Sequence, residues 1–187
     1  MPNVISVAVT GAAGYVGSRL LQKLEENPEH RKLIAFDTRP LAFPIHNVAA
    51  YRMNVVESID EILLHHRAAT LVHLAFDSTR GRNRREVATI RQSNLDTLKA
   101  VLNSCVRARV RHFIYLSSHT VYGPHQDNPV PLTNDAPLRP LPDFPYGYDK
   151  YLSEQIIQEF RDAHPDIRVT ILRSCIVLGP NAASPIS

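Results

Sequence analysis

The stretch Val4-Ile5-Ser6-Val7-Ala8-Val9-Thr10-Gly11-Ala12-Ala13-Gly14-Tyr15-Val16-Gly17 leaves this chain few folds to choose from. Its apolar, β-branched run with little alternation predicts a strand buried on both faces, as in a parallel sheet. Three glycines follow. Then come apolar residues at helical spacing (Leu20, Leu21, Leu24), stopped by Asn27-Pro28. Strand, tight turn and helix N-terminus together make an anion cradle, because free N–H groups and the helix dipole both face the turn. Gly11 permits the turn, Gly14 lets the backbone approach a pyrophosphate, and Gly17 lets the helix lie close to the strand. The spacing is G-x-x-G-x-x-G rather than G-x-G-x-x-G, so alone it also fits a βα turn that holds nothing. A second apolar run, Lys32 to Asp37, ends in a carboxylate 20 residues after Gly17. There it would accept hydrogen bonds from ribose hydroxyls.

The alternation continues along the chain. Ala50 to Val55 reads as a third strand and Ile59 to His66 as a helix. Thr70 to Ala75 reads as a fourth strand, closed by a small residue. Glu86 to Arg107 has the spacing of a long helix, His112 to Ser118 of a strand, Tyr146 to Ala163 of a helix and Ile167 to Arg173 of a sixth strand. This predicts an α/β fold of Rossmann type, a doubly wound parallel sheet with right-handed crossovers. Pro124 to Pro145 holds seven of the chain's fourteen prolines. It reads as a long extended loop, and such loops inside compact domains are usually functional.

At 187 residues the chain suits one domain with a sizeable core. A net charge of +3 does not call for nucleic acid. No run of 18 apolar residues predicts a membrane span, and the N-terminus lacks a signal pattern. Two cysteines, Cys105 and Cys175, give no disulfide framework or metal signature. They suit a reducing cytoplasm and read as core packing. His73 reads as a packed core histidine rather than a ligand, since metal partners at ligand spacing are missing. Arg80, Arg82, Arg84, Arg85 and Arg91 read either as a solvated face or as an anion or nucleic-acid contact. No aromatics interleave with them, which weakens a stacking platform. Asn94 lies inside the long helix, where a surface Asn gains little.

Tyr146 and Lys150 stand at i and i+4 and share a helix face. A tyrosine with a pKa near 10 needs roughly 4 kcal/mol of differential stabilisation to work near neutrality, at about 1.4 kcal/mol per unit. The Lys150 cation is expected to supply part of it. Ser118 ends its strand where open α/β sheets hold ligands, and could aim a substrate oxygen at Tyr146. Tyr148 and Tyr151 lack a lysine four residues on. Tyr122 reads as lining the pocket or as packing under the proline-rich loop.

In order, these pieces resemble the extended short-chain dehydrogenase/reductase family, its NAD-dependent epimerase/dehydratase group. The matching stretches are Thr10 to Gly17, Asp37, His73-Leu74-Ala75, Asn94, Leu116 to Gly123, Pro145 to Lys150, Leu172-Arg173 and Gly179-Pro180. The resemblance implies that residues 1–187 form an NAD(P)-binding domain. It implies a catalytic set of Ser118, Tyr146 and Lys150, with Lys150 also holding the nicotinamide ribose. It implies cofactor contacts at Tyr15, Val16, Asp37, Asn54, Val55, Leu74, Ala75, Phe76, Asn94, Tyr146 and Lys150, beside Gly11, Gly14 and Gly17. NAD is favoured over NADP: Arg39 could reach a 2′-phosphate, but Asp37 would repel it. The implied reaction is hydride transfer at a secondary alcohol or sugar carbon, with Tyr146 as acid/base, on a small molecule such as a sugar or nucleotide sugar. The implied assembly is a homodimer through the two long helices. No metal and no membrane enter this reading.

Three departures qualify it. Asn54-Val55 stands where an Asp usually ends the third strand. Ile176 replaces an Asn that contacts sugar in many members. His119-Thr120 replaces the Asp-Glu pair of 4,6-dehydratases. Members of the family also run on for a hundred residues or more, so residues 174–187 are expected to open a substrate lobe that is otherwise missing. A non-catalytic nucleotide-binding or sensing module, or an inactive fragment, is the alternative.

Overall fold

The computed structural model describes residues 6–26, 32–41, 43–180 and 182. Three sequence readings therefore lie partly or wholly outside the described residues: Val4-Ile5 of the first strand, the Asn27-Pro28 stop, and residues 181 and 183–187 of the expected lobe. Six parallel strands form one sheet: β1 (Ser6–Thr10), β2 (Lys32–Asp37), β3 (Val48–Arg52), β4 (Thr70–His73), β5 (His112–Ser118) and β6 (Arg168–Ser174). Their order is β3-β2-β1-β4-β5-β6. Among the described residues, four α-helices cover the faces: α1 (Tyr15–Glu25), α2 (Asp60–His65), α3 (Arg84–Arg107) and α4 (Pro145–Ala163). A 3₁₀ turn spans His119–Tyr122.

Every residue of β1 is buried, because the side chains of a central parallel strand alternate between two covered faces. Val7 and Val9 pack with Leu33, Ala35, Val72 and the α1 residue Leu21. Ala8 turns the other way, into a larger core with Ile34, Leu71 and Phe113, and with Leu63, Leu98 and Ile157 from α2, α3 and α4. The doubly wound architecture is thus the one expected.

The strand ends differ from the sequence reading. β3 runs from Val48, paired with Leu33, to Arg52, paired with Asp37. It stops where β2 stops, so Asn54-Val55 falls in the loop beyond. β4 ends at His73, opposite Thr10, and leaves Leu74-Ala75 past the sheet. α3 starts at Arg84, because the Asn83 side chain caps it by accepting from the Glu86 N–H at 2.9 Å. α4 starts on Pro145, whose missing N–H costs nothing at the first helical position. Cys105 is buried as expected, but Cys175 is exposed, past the end of the edge strand β6. No helix among the described residues is long and apolar enough to cross a membrane.

Candidate functional site

The glycine-rich turn adopts a geometry that side chains would spoil. Gly11 has φ +69°, and a Cβ there would lie 2.6 Å from the Ala75 nitrogen. A Cβ on Gly17 would collide with the Gly11 carbonyl oxygen and lie 2.8 Å from the Ala12 Cα. Gly17 therefore lets α1 close onto the turn itself, rather than onto the strand as its sequence position suggested. The Gly14 N–H donates to the Gly11 carbonyl at 3.1 Å. Asp37 fastens the turn from the end of β2. Its Oδ2 accepts from the Ala13 N–H at 2.9 Å, and its Oδ1 accepts from the Arg39 N–H at 2.9 Å. The Arg39 guanidinium closes on the same carboxylate at 3.5 Å. A carboxylate has about four lone-pair sites, so acceptors remain for hydroxyl donors.

Beyond the carboxyl ends of β1 to β4 lies a cavity of about 500 Å³. It sits where strand order reverses, between β1 and β4, which is where open α/β sheets hold ligands. Of the residues singled out from the sequence, Gly11, Gly14, Asp37, Asn54, Val55, Leu74, Ala75, Phe76 and Asn94 line it; Tyr15, Val16 and Gly17 do not. Side-chain-free Gly14, a carboxylate and an apolar wall suit an extended ligand carrying hydroxyls and an anionic group. Asn94 explains its own burial. Its Oδ1 accepts from the Asp77 N–H at 2.8 Å and its amide donates to the Asp77 carbonyl at 2.9 Å, so it pins the loop after β4. Asn54 is exposed and turns inward only locally, accepting from the Val56 N–H at 3.1 Å. A second hollow, about 570 Å³, runs along β6 and α4. It has no glycine turn.

Tyr146 and Lys150 gather next to Phe76, with Ser118 beside Tyr146. The Ser118 Oγ accepts from the Thr120 N–H at 3.3 Å and from its hydroxyl at 3.0 Å. The Tyr146 ring stands 5.6 Å from Phe76 and perpendicular to it. Burial raises the Tyr146 pKa, while the Ser118 hydroxyl pulls the other way. Lys150 is only 4% exposed. Its Nζ donates to the Leu116 carbonyl at 2.8 Å and to the Tyr115 hydroxyl at 3.3 Å. Burial pushes its pKa down to about 7, against the opposing pull of Glu154. In this structure burial is the largest influence on the Tyr146 phenol. The amine is drawn to a backbone carbonyl and stands 6.0 Å from the Tyr146 ring centre.

The remaining candidates separate cleanly. Tyr148 carries the Arg91 guanidinium over its ring at 5.0 Å. Tyr151 packs beside Val121 and Tyr122. Tyr122 is buried, and its hydroxyl accepts from Arg173 at 2.8 Å, so it packs under the proline-rich loop. His73 is a buried core histidine. Its Nδ1 lies 2.7 Å from the Thr10 Oγ1, and burial pushes its pKa down to about 3. Arg80, Arg82, Arg84 and Arg85 are exposed, with Arg82 on Glu86 at 3.1 Å. Arg91 turns inward to Asp149 at 2.5 Å. No group of three or more His, Cys, Asp or Glu among the described residues is placed to hold a metal.

Sequence reasoning gave no role to Tyr115 or Glu154, and named Arg173 only within the Leu172-Arg173 stretch. Tyr115 faces Lys150 from β5. Buried Glu154 pairs with half-buried Arg173 at 2.8 Å. The only signals were Glu154 one helical turn past Lys150 and a second arginine, after Arg168, near the end of the sixth strand.

A family profile described as the NAD dependent epimerase/dehydratase family matches residues 7–186. The UDP-glucose 4-epimerase of Erwinia amylovora is 27% identical over 187 residues, covering 90% of this chain and 52% of its own. That of Azospirillum brasilense is 28% identical over 188 residues, covering 95% and 50%. The UDP-glucose 4-epimerase of Thermotoga maritima, solved with UDP-glucose, superposes with a TM-score of 0.77 at 25% identity, over 90% of this chain and 55% of that one. A Bacillus cereus UDP-glucuronic acid 4-epimerase solved with NAD shares the fold, with a TM-score of 0.77 at 24% identity over 95% of this chain and 59% of that one. The chain spans about half the length of the curated relatives it matches.

Proposed function

The chain belongs to the NAD-dependent epimerase/dehydratase family, and from that premise we propose that it binds NAD and serves hydride transfer at a secondary alcohol carbon of a sugar or nucleotide sugar. One observation carries the reading. Phe76, in the wall of the cavity at the sheet's switch point, touches both Tyr146 and Lys150. This contact supports reading the pocket and the Tyr146–Lys150 pair as one site.

In this reading Gly11 and Gly14 bring the backbone close to the pyrophosphate, and α1 presents its N-terminus to it. Asp37 accepts from the adenosine ribose hydroxyls. Its charge, with Arg39 closed upon it, favours NAD over NADP. Asn54, Val55, Leu74, Ala75, Phe76 and Asn94 form the walls, while Tyr15, Val16 and Gly17 lie outside them on α1, with Gly17 letting the helix close onto the turn. Bound NAD supplies the hydride acceptor. Ser118 orients the substrate oxygen, Tyr146 takes the hydroxyl proton, and Lys150 holds the nicotinamide ribose and stabilises the phenolate. Burial alone raises the Tyr146 pKa, so in this reading the cation and the bound cofactor must bring it down. A cytoplasmic homodimer through α3 and α4 belongs to the same reading.

Calorimetric titration with NAD, and turnover on a panel of UDP-sugars, test it. The parent chain binds NAD, Asp37→Ala weakens binding at least about tenfold, consistent with loss of a charge-assisted pair, and Tyr146→Phe binds but does not turn over. Absence of NAD binding, or full turnover by Tyr146→Phe, overturns it. Binding without turnover by the parent assigns the chain to nucleotide binding alone.

A further inference from the structure

Four groups surround the Lys150 ammonium. Three belong to β5: the Leu116 carbonyl at 2.8 Å, the Tyr115 hydroxyl at 3.3 Å and the Tyr115 ring at 4.7 Å. The fourth, Phe76, comes from the loop after β4 and lies nearer than the Tyr115 ring, its centre 3.8 Å from Nζ. The same ring stands perpendicular to Tyr146 at 5.6 Å. We propose that Phe76 is a positioning residue for the Tyr146–Lys150 pair: its face holds the ammonium, its position braces the phenol, and together these set the distance between them. The proposal rests on the reading of Tyr146 and Lys150 as the working pair.

The ring is held there by more than its own packing. Asp77, the next residue, has both backbone groups tied to the buried Asn94. An otherwise unexplained asparagine in the middle of α3 thus fixes the loop that presents Phe76. An aromatic face is the apolar surface that still attracts a cation, so it closes off water without expelling the charge. A leucine of similar size would close off water and offer nothing to the charge.

The other titratable groups facing the amine are few. Glu154 on α4 favours the charged form, and buried His73 on β4, pushed down to about 3, is neutral where the amine titrates. Tyr115 on β5 and Tyr146 on α4 are both raised by burial, so they stay neutral near pH 7. Asp149 is engaged by Arg91 from α3. Losing the Phe76 face should therefore move the amine toward its neutral form.

Competitive labelling of the full chain with acetic anhydride from pH 5 to pH 11, with mass spectrometry of the Lys150 peptide, reads this directly. The parent midpoint is expected at about 7. Phe76→Leu lowers it by about one pH unit, and Phe76→Tyr restores it. A midpoint unchanged or raised in Phe76→Leu overturns the proposal, as does a Phe76→Tyr value equal to that of Leu. Phe76→Met, which fills the space without a ring, serves the same comparison if the Leu variant does not fold. The readout uses neither NAD nor substrate, so its failure is separate from failure of the functional reading.

Discussion

A buried lysine amine is an unusual residue for a fold to tolerate, and Lys150 shows what it costs. Its pKa falls from 10.5 to about 7. Between those values the unfolded chain holds a proton that the folded chain does not, so stability rises with pH across that window. The burden is fully present below about pH 7 and gone above about pH 10.5. At about 1.4 kcal/mol per unit the shift sets a ceiling near 5 kcal/mol. Loss of the Leu116 hydrogen bond takes back part of this. Lys150→Met should therefore be more stable than the parent by about 1–3 kcal/mol at pH 7. The advantage should shrink steadily toward pH 10. Urea unfolding at the two pH values measures it, and a difference that does not change with pH would mean the amine is solvated. A residue that weakens the fold where it would do chemistry fits a site where function was favoured over stability.

At the scale of elements, the glycine turn is the most exacting piece. Gly17 and Gly14 occupy the same motif but different surroundings. A Cβ at Gly17 meets backbone on two sides, whereas one at Gly14 meets only the Gly11 carbonyl, at 3.1 Å. Gly17→Ala should cost about 2–3 kcal/mol, since backbone cannot swing aside as a side chain can, and Gly14→Ala less than about 1 kcal/mol. Chemical denaturation of both variants decides it, and equal losses would mean that the turn relaxes. This contrast also marks what was legible beforehand. The strand–turn–helix unit and strands β1, β2 and β4 could be read because doubly buried strands are continuous apolar runs, and the less buried β3, β5 and β6 from their alternation with helical segments. The ends of β3 and β4 could not, because they stop where their neighbours β2 and β1 stop, a property of register rather than of local sequence. Ser118, Tyr146 and Lys150 could be nominated from spacing. Where the Lys150 amine points could not, because Leu116 and Tyr115 on another element decide it.

Across the whole molecule, one buried network joins parts that the sequence keeps far apart. Glu154 on α4 accepts from Ser117 on β5 at 2.5 Å and from the Arg173 guanidinium on β6 at 2.8 Å. The same guanidinium donates to the Tyr122 hydroxyl in the 3₁₀ turn at 2.8 Å and to the Asn134 carbonyl in the proline-rich loop at 3.1 Å. The pairing holds the Arg173 pKa well above its ordinary value. Helix α4, the ends of β5 and β6, and the loop are thus tied to one fork, next to Ser118 and one turn from Lys150. Removing the carboxylate should be worse than weakening it. Glu154→Ala strands the arginine and leaves the Ser117 hydroxyl without its acceptor. The loss should be about 2–3 kcal/mol, at the low end for a broken buried pair because the Arg173 side chain is 21% exposed. Glu154→Gln keeps an acceptor and should lose less. Arg173→Lys tests the fork separately. A single ammonium cannot reach Glu154, Tyr122 and Asn134 together, so thermolysin should cut the 123–144 loop several-fold faster while the sheet persists by circular dichroism. Arg161→Lys, on an exposed face of α4, is the control. Equal cutting of both variants would show that the proline-rich loop is held by its own packing of Val121, Tyr122 and Ala136 and not by the charge at its base.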